Sequence, residues 1–173
     1  MEIRIPKSDI AQAKAQGMDE YVMLFHDRIM DAIGGQLTPE NMPQLNADQV
    51  TLLAYVVFRD EVMDGGFIQL IHNGYGPFIF LNPFAKAMGE WGARDFKKLV
   101  YEGRHLFAKH GEEICRECSD EEFMALFEQF PKFDDLDDAF VEMEEDVTAL
   151  VAQYIENHLE NFARVVAEGE EGC

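Results

Sequence analysis

The chain has 173 residues, and its apolar content of 47%, with 14 Phe, is sufficient for one packed core of ordinary domain size. Its 34 acidic and 14 basic side chains give a formal net charge of −20 at pH 7, which repels nucleic acid and lipid headgroups and attracts basic surfaces. We therefore expect no direct binding of nucleic acid or of a membrane.

The first residues and the cysteines indicate the cellular compartment. The segment MEIRIPKSDIAQAK lacks the apolar region of a secretory signal, and the sequence contains no run of about 18 apolar residues that would span a membrane. The three cysteines, Cys115, Cys118 and Cys173, are too few and too clustered for a disulfide framework. We expect a cytoplasmic protein.

Helical periodicity dominates the first part of the chain. Ser8 is the predicted N-cap of a short helix that extends to about Ala15. Apolar residues at helical spacing predict a second helix over Met18–Ile33, and a glycine pair ends it. Two prolines then predict an irregular connection or one short turn over Leu37–Leu45.

A capping box predicts the start of the third helix. Asn46 is followed three residues later by Gln49, and the strongly apolar run TLLAYVVF comes next. The apolar residues cover much of the circumference, as in a buried helix, and the pattern extends to about Asp64.

The stretch DEVMDGGFIQLIHNGYG, residues 60–76, contains a glycine pair inside a helical pattern. Gly65-Gly66 predicts a break, Phe67–His72 a further short helix, and Asn73-Gly74 a left-handed cap that ends it. The stretch has no Lys, Ser or Thr, and it lacks the spacing of a phosphate-binding or dinucleotide-binding loop. We interpret it as a tight structural corner with close backbone packing.

Three shorter elements follow this corner. Pro77 and Asn82-Pro83 bracket an apolar piece that we predict to be irregular, and Phe84–Met88 is predicted to form one or two helical turns. Gly92–Lys109 is predicted to be an amphipathic helix, and it is the one basic segment of the chain.

Two helices complete the chain. Ser119 and Glu122 form a capping box that predicts a helix over Asp120–Phe130, and a proline ends it. The longest predicted helix extends from about Asp134 to Ala167 and contains neither Gly nor Pro.

These patterns together predict the fold class. No segment shows the alternation of a strand. We predict an all-α fold, a single compact multi-helix domain over residues 1–173 with a long C-terminal amphipathic helix. The acidic tail at residues 168–173 is predicted to be disordered.

Four residues of types that bind zinc lie within fourteen positions: His105, His110, Cys115 and Cys118. A structural zinc site usually takes its ligands in pairs, from two knuckles or from a knuckle and a helix. Here His105 is predicted on the side of a helix, and Cys115 and Cys118 begin a new segment. The other interpretation is two small buried thiols and two surface histidines. We predict no metal and no cofactor, and a small metal site at these four residues remains the alternative.

The sequence contains no recognisable catalytic motif. It has no nucleophile elbow and no helical His-Glu-x-x-His pattern, and the acidic segment DDLDDAFVEMEED has Ala139 where a calcium loop needs glycine. With 34 carboxylates, any pairing of two as acid and base is uninformative. We predict that the protein is not an enzyme and name no catalytic residue.

The predicted long helix places its charges on one side. At 100° per residue, seven acidic residues share an arc of about 100°. These acids, named the acidic row, are Asp135, Asp138, Glu142, Glu145, Asp146, Glu156 and Glu160. The opposite, apolar face comprises Leu136, Phe140, Met143, Val147, Leu150 and Tyr154.

The acidic row is either a solvated helix face or a surface that binds a partner. Like charges at i,i+4 cost about 0.2–0.5 kcal/mol per pair, and Arg164 is the single base in the predicted helix.

The stretch at residues 60–76, together with Gly89, Trp91-Gly92-Ala93 and the segment FDDLDDAF, resembles the small acidic bacterial DNA-mimic protein family. The similarity covers about Asn46–Phe162. Its most specific part is the pattern E-V-x-x-G-G-F-x-Q at Glu61–Gln69, followed by Asn73 and Gly76.

This resemblance implies an acidic, all-α homodimer that binds a basic DNA-binding protein, such as a transcription regulator or a nucleoid protein, and blocks its DNA site. In that family the glycine corner is a fold signature, and the resemblance supplies neither a catalytic nor a metal-binding residue. The acidic row is then the predicted partner-binding surface.

Overall fold

The computed structural model of the chain describes residues 1–170. The elements in chain order are β1 (Arg4–Pro6), α1 (Lys7–Gln16), α2 (Met18–Ala32), a 3-10 turn (Met42–Gln44), α3 (Ala47–His72), α4 (Gly76–Phe80), α5 (Phe84–Glu90), α6 (Arg94–Ile114), α7 (Asp120–Gln129), α8 (Lys132–Asn157), α9 (Leu159–Phe162) and β2 (Arg164–Val166). The predicted all-α fold with a long amphipathic helix near the C-terminus is confirmed.

The residues form two compact units. The first comprises Met1–Leu53 and the chain from Thr148 onward, and the second comprises Ala54–Val147. The boundaries between the units fall inside α3 and near the middle of α8. The expectation of one domain over the whole chain stays a prediction.

In the first unit, two short strands join the ends of the chain. β1 and β2 pair in parallel, with Ile5 opposite Val165, and Ile5 is fully buried. The rings of Phe25 and Phe162 meet edge to face beside them, with centroids 6.3 Å apart. The sequence pattern predicted neither strand, because three residues are too few to show alternation.

The predicted helix to Ala167 is wrong in its last third, because α8 ends at Asn157. Local propensity favours continuation there, but contacts distant in sequence stabilise a turn. The Tyr154 hydroxyl and the Asn161 side-chain amide both donate to Asp48 Oδ2, over 3.0 and 2.8 Å. The strand β2 follows, and its pairing with β1 excludes helix at residues 164–166.

Aromatic side chains form the core of the second unit. The ring of Phe58 on α3 meets three others edge to face, those of Phe67, Phe96 and Phe140, with centroids 5.3, 5.0 and 4.9 Å apart. Each such contact adds about 0.5–1.5 kcal/mol to the free energy of area burial. The cluster therefore fixes α6 and the first half of α8 against α3.

Both predicted capping boxes are present. Asn46 Oδ1 accepts from the Gln49 backbone N–H at 2.8 Å, and the Gln49 side chain accepts from the Asn46 N–H at 3.0 Å. Ser119 and Glu122 make the same reciprocal pair, at 3.2 and 3.3 Å. Such local hydrogen bonds follow directly from sequence spacing.

Three local predictions are wrong. Ser8 is not an N-cap, since α1 directly follows Pro6 and no side-chain hydrogen bond caps it. The segment after Pro77 is the helix α4, because proline suits the first turn of a helix. The helix α6 extends beyond Lys109 to the fully buried Ile114.

Residues 168–170 follow β2 and include a turn. The rest of the predicted disordered tail, residues 171–173 with Cys173, lies outside the described residues. Across the described part of the chain, every helix is too short or too polar to cross a membrane.

Candidate functional site

The glycine corner divides α3 into two helical segments, as predicted. Gly65 has φ −145° and ψ 16°, and Gly66 has φ 75° and ψ −177°, which are not helical values. Only glycine adopts the second conformation readily. The following segment ends at His72, and Gly74 just beyond it has the φ of 88° of the predicted left-handed cap.

Polar side chains in and next to the E-V-x-x-G-G-F-x-Q pattern form hydrogen bonds with one another across this corner. The Gln69 amide donates to Glu61 Oε2 at 3.0 Å and to Asp64 Oδ2 at 2.9 Å. The Asn73 amide donates to the same Glu61 oxygen at 2.9 Å. A Cβ on Gly65 would lie 2.0 Å from Gln69 Oε1, so the glutamine side chain lies directly over the glycine. These hydrogen bonds connect the two segments of α3 and stabilise the corner.

Asp137 on α8 completes the corner from the opposite side. Its Oδ1 accepts from the Phe67 backbone N–H at 2.8 Å and caps the second segment of α3. A Cβ on Gly66 would lie 2.3 Å from Asp137 Oδ2. The pKa of Asp137 is raised to about 6, mainly by burial; the Phe67 hydrogen bond lowers it, and the charges of Asp134 and Asp138 raise it.

Sequence reasoning did not single out Asp137. The residue lies about 200° around the helix from Asp135, outside the arc of the acidic row. Its position away from the charged face was the signal in the sequence that could have identified it. A carboxylate there is expected to be buried, and a buried carboxylate needs a hydrogen-bond donor. Its role is structural, and it belongs to the corner.

Five members of the acidic row lie on α8 within the second unit and are exposed: Asp135, Asp138, Glu142, Glu145 and Asp146. Within residues 1–170, none of the five forms an ion pair or a side-chain hydrogen bond. At 1.5 Å per residue they extend about 16 Å along the helix. We name these five the α8 acidic face.

The remaining two members of the row have other surroundings, in the first unit. Glu156 is exposed but accepts a hydrogen bond from Lys14 Nζ of α1, so its charge is partly neutralised. Glu160 is exposed and lies on α9, beyond the end of α8 at Asn157. The prediction that one helix carries all seven acids is therefore wrong: α8 carries six of them, and α9 carries Glu160.

The apolar face was predicted largely correctly. Leu136, Phe140 and Val147 are buried, and Met143 and Tyr154 are partly exposed. Leu150 is 37% exposed and does not belong to the core.

The four possible zinc ligands do not form a site. His105 is exposed, the His110 ring packs on Phe130 with centroids 4.8 Å apart, and Cys115 Sγ donates to the Ile71 carbonyl oxygen at 3.2 Å. Although Cys115 is exposed overall, partial burial raises the pKa of its thiol. No three His, Cys, Asp or Glu side chains among residues 1–170 are placed to hold a metal ion. The arrangement of the described residues gives no support to a small metal site at these four positions.

Two comparisons with known proteins agree with the resemblance inferred from the sequence. A model of the family described as DMP19-like protein matches residues 43–158. The "DNA mimic protein DMP19" of Neisseria meningitidis serogroup B is 34% identical over 131 residues, which cover 75% of this chain and 79% of that protein. The matched residues include the glycine corner and the whole α8 acidic face. The chain therefore belongs to the DMP19-like protein family.

Proposed function

We propose that the protein is a DNA mimic whose α8 acidic face binds the basic DNA-contacting surface of a DNA-binding protein and blocks its DNA site. A transcription regulator or a nucleoid protein has such a surface. Membership of the DMP19-like family supports this proposal, as does the name of the Neisseria relative. The proposal involves no catalytic step, and the protein would act as a homodimer in the cytoplasm.

The unpaired charge of the α8 acidic face is the observation that carries the proposal. Carboxylates three or four residues apart have Cβ atoms about 5–6 Å apart, and their repulsion costs about 0.2–0.5 kcal/mol per pair. Within residues 1–170 the nearest base along α8 is Lys132, which lines a pocket together with Asp135, and none of the five acids forms an ion pair. A basic partner would relieve this repulsion.

The geometry of the face also suits a surface that binds DNA. Successive phosphates of one DNA strand advance about 3.4 Å along the helix axis. Because the strand also winds around the axis, the phosphates lie farther apart than this in space, at a spacing comparable to that of the carboxylates. The face of about 16 Å would cover about half of one duplex turn, since a full turn is about 34–36 Å. Because α8 is a helix packed on the core, its backbone fixes the spacing between the five carboxylates.

Competitive elution tests the proposal. Proteins of the encoding organism would be bound to immobilised duplex DNA, and the wild-type chain would be added at physiological ionic strength. We expect it to release at least one DNA-binding protein into a soluble complex with the chain. The test variant is Asp135→Asn, Asp138→Asn, Glu142→Gln and Glu145→Gln, named the α8-face variant, and it should release much less.

A matched control separates the position of the charges from their number. Glu112, Glu117, Glu121 and Glu128 are also exposed, and they form no ion pair within the described residues. Changing all four to Gln, in the distal-acid variant, removes the same charge from α6, α7 and the loop between them. If both variants lost activity equally, the charge would serve only general attraction or solubility, and the proposed surface would be wrong.

A further inference from the structure

A basic pocket lies between α5 and α6 of this acidic protein. Four cationic side chains line it, those of Lys86, Arg94, Lys97 and Lys98, together with the ring of Tyr101. Gly89 and a single carboxylate, Glu90, complete the lining. Four of the chain's 14 bases thus meet at one place. The cavity volume of about 380 Å³ is within the range of small-molecule sites.

The positive charge of this pocket exceeds the negative charge, because four cationic side chains and one carboxylate line it. Acids outnumber bases 34 to 14, so an exposed cation is expected to have a carboxylate nearby. In the part of the chain that the structure describes, none of the four forms an ion pair, and Glu90 forms none either. The pocket therefore has a local positive charge that an anionic ligand would neutralise.

Contacts with Gly89 and Tyr101 hold the Lys97 side chain in the wall of the pocket. A Cβ on Gly89 would lie 2.5 Å from Lys97 Cδ, so the lysine side chain lies directly across α5 where only glycine leaves room. Its Nζ is 6.0 Å from the centroid of the Tyr101 ring, at the distance of a cation–π contact. A side chain already held by contacts loses less conformational entropy when it binds a ligand.

The exposed ring of Tyr101 adds a second kind of contact. It is 42% exposed and lines the same pocket as the cations. Nucleic-acid bases stack on such rings with little dependence on which base is present. Lys and Arg side chains bind phosphate groups through charge-assisted hydrogen bonds. The pocket therefore has binding groups for both parts of a nucleotide.

We propose that this pocket binds a nucleoside di- or triphosphate, with its phosphates on Lys86, Arg94, Lys97 and Lys98 and its base on Tyr101. A small ligand inside the pocket lies within the Debye length of about 8 Å from these cations, so the local charge governs its binding. A long polyanion such as duplex DNA would also meet the field of the 34 acids and be repelled.

Calorimetric titration of the full chain with ATP and, separately, with pyrophosphate tests this site. We expect saturable binding of both, with one site per chain. Arg94→Gln with Lys98→Gln should weaken both ligands by at least about tenfold. Tyr101→Ala should weaken ATP several-fold and leave pyrophosphate unchanged, because only ATP has a base to stack.

Arg104→Gln with Lys109→Gln is the matched control, since it removes two exposed cations from α6 outside the pocket. It should leave both affinities unchanged, and circular dichroism should show that all variants keep their helix content. Absence of saturable binding in the wild type would overturn the proposal. So would equal weakening by the control pair, an unchanged affinity for ATP in Tyr101→Ala, or binding of polyglutamate without binding of ATP.

Discussion

Asp137 couples the stability of the glycine corner to pH. Its pKa in the folded protein is about 6, above the ordinary value of 3.8, because burial disfavours the charged carboxylate. The folded state therefore holds a proton that the unfolded state loses between these two values. The contribution of Asp137 to stability is fully present at low pH and is lost as pH rises through 6.

The substitution Asp137→Asn should remove this pH dependence. The amide oxygen still accepts from the Phe67 N–H but cannot ionise, so its advantage over the wild type should grow from pH 5 to pH 7.5. This range lies above the pI of about 4.4, where solubility is lowest. Urea unfolding at several pH values measures the difference. An advantage that stayed constant with pH would contradict the assigned pKa shift.

A second substitution isolates the capping hydrogen bond. Asp137→Ala leaves the N–H of the fully buried Phe67 without its acceptor, so this variant should be less stable than Asp137→Asn by about 1–2 kcal/mol at pH 7. Equal stability of the two variants would mean that the cap contributes nothing.

The cysteines give a further prediction at the residue scale. Cys115→Ser with Cys118→Ser should change the melting temperature by only a few degrees, and added chelator should have no effect, because these thiols do not converge with other ligands in residues 1–170. A collapse of the melting temperature in either experiment would indicate a structural metal.

At the scale of single elements, Gly66 is the residue that the α3 corner most needs. Gly66→Ala would combine a φ of 75° with a Cβ 2.3 Å from the Asp137 carboxylate. We expect a loss of about 2–4 kcal/mol in the free energy of unfolding, measured by urea denaturation. Gly74→Ala is the control, because its φ is 88° but no atom lies within 4 Å of the added Cβ.

The control should lose only about 1 kcal/mol, the cost of the left-handed backbone alone. If the two alanine variants were equally destabilised, the close contact between Gly66 and Asp137 would have no energetic role.

Elements defined by neighbouring residues were predictable from sequence. The capping boxes at Asn46 and Ser119 and the break at Gly65-Gly66 depend on residues within four positions, and each is present. The end of α8 depends on Asp48, which is 106 residues from Tyr154 in sequence. Such a partner leaves no local signal, so the periodicity was extended too far.

The positions of the acids on the candidate surface were predictable where they depend on local helical spacing, and not where they depend on contacts distant in sequence. The five acids of the α8 acidic face follow from helical spacing, and all five are exposed on one helix. The separate position of Glu160 on α9 follows from the end of α8, which depends on the distant Asp48. The ion pair of Glu156 with Lys14 joins residues 142 positions apart, and no pattern in the sequence indicates it.

At the scale of the whole molecule, the proposed function includes a homodimer. We expect a homodimer at micromolar concentration, so sedimentation should give a mass near twice 19.8 kDa. A species near 19.8 kDa that persisted as the concentration increased would contradict this expectation. High salt should not dissociate the dimer if its interface is mainly apolar, because screening acts on charges.

The net charge of −20 is the property that the proposed function uses most directly. Long-range attraction raises the rate of association with a basic partner, and salt screens it. The α8-face variant and the distal-acid variant have the same net charge, so they should differ only if the position of the acids matters.

The most direct test is the affinity of a purified partner, recovered by competitive elution, for the wild type and these two variants. We predict that the α8-face variant binds at least about tenfold more weakly, about 1.4 kcal/mol, mostly through slower association. The distal-acid variant should stay within about twofold of the wild type. An α8-face variant that binds as tightly as the wild type would contradict the proposal that this helix face occupies a DNA-binding site.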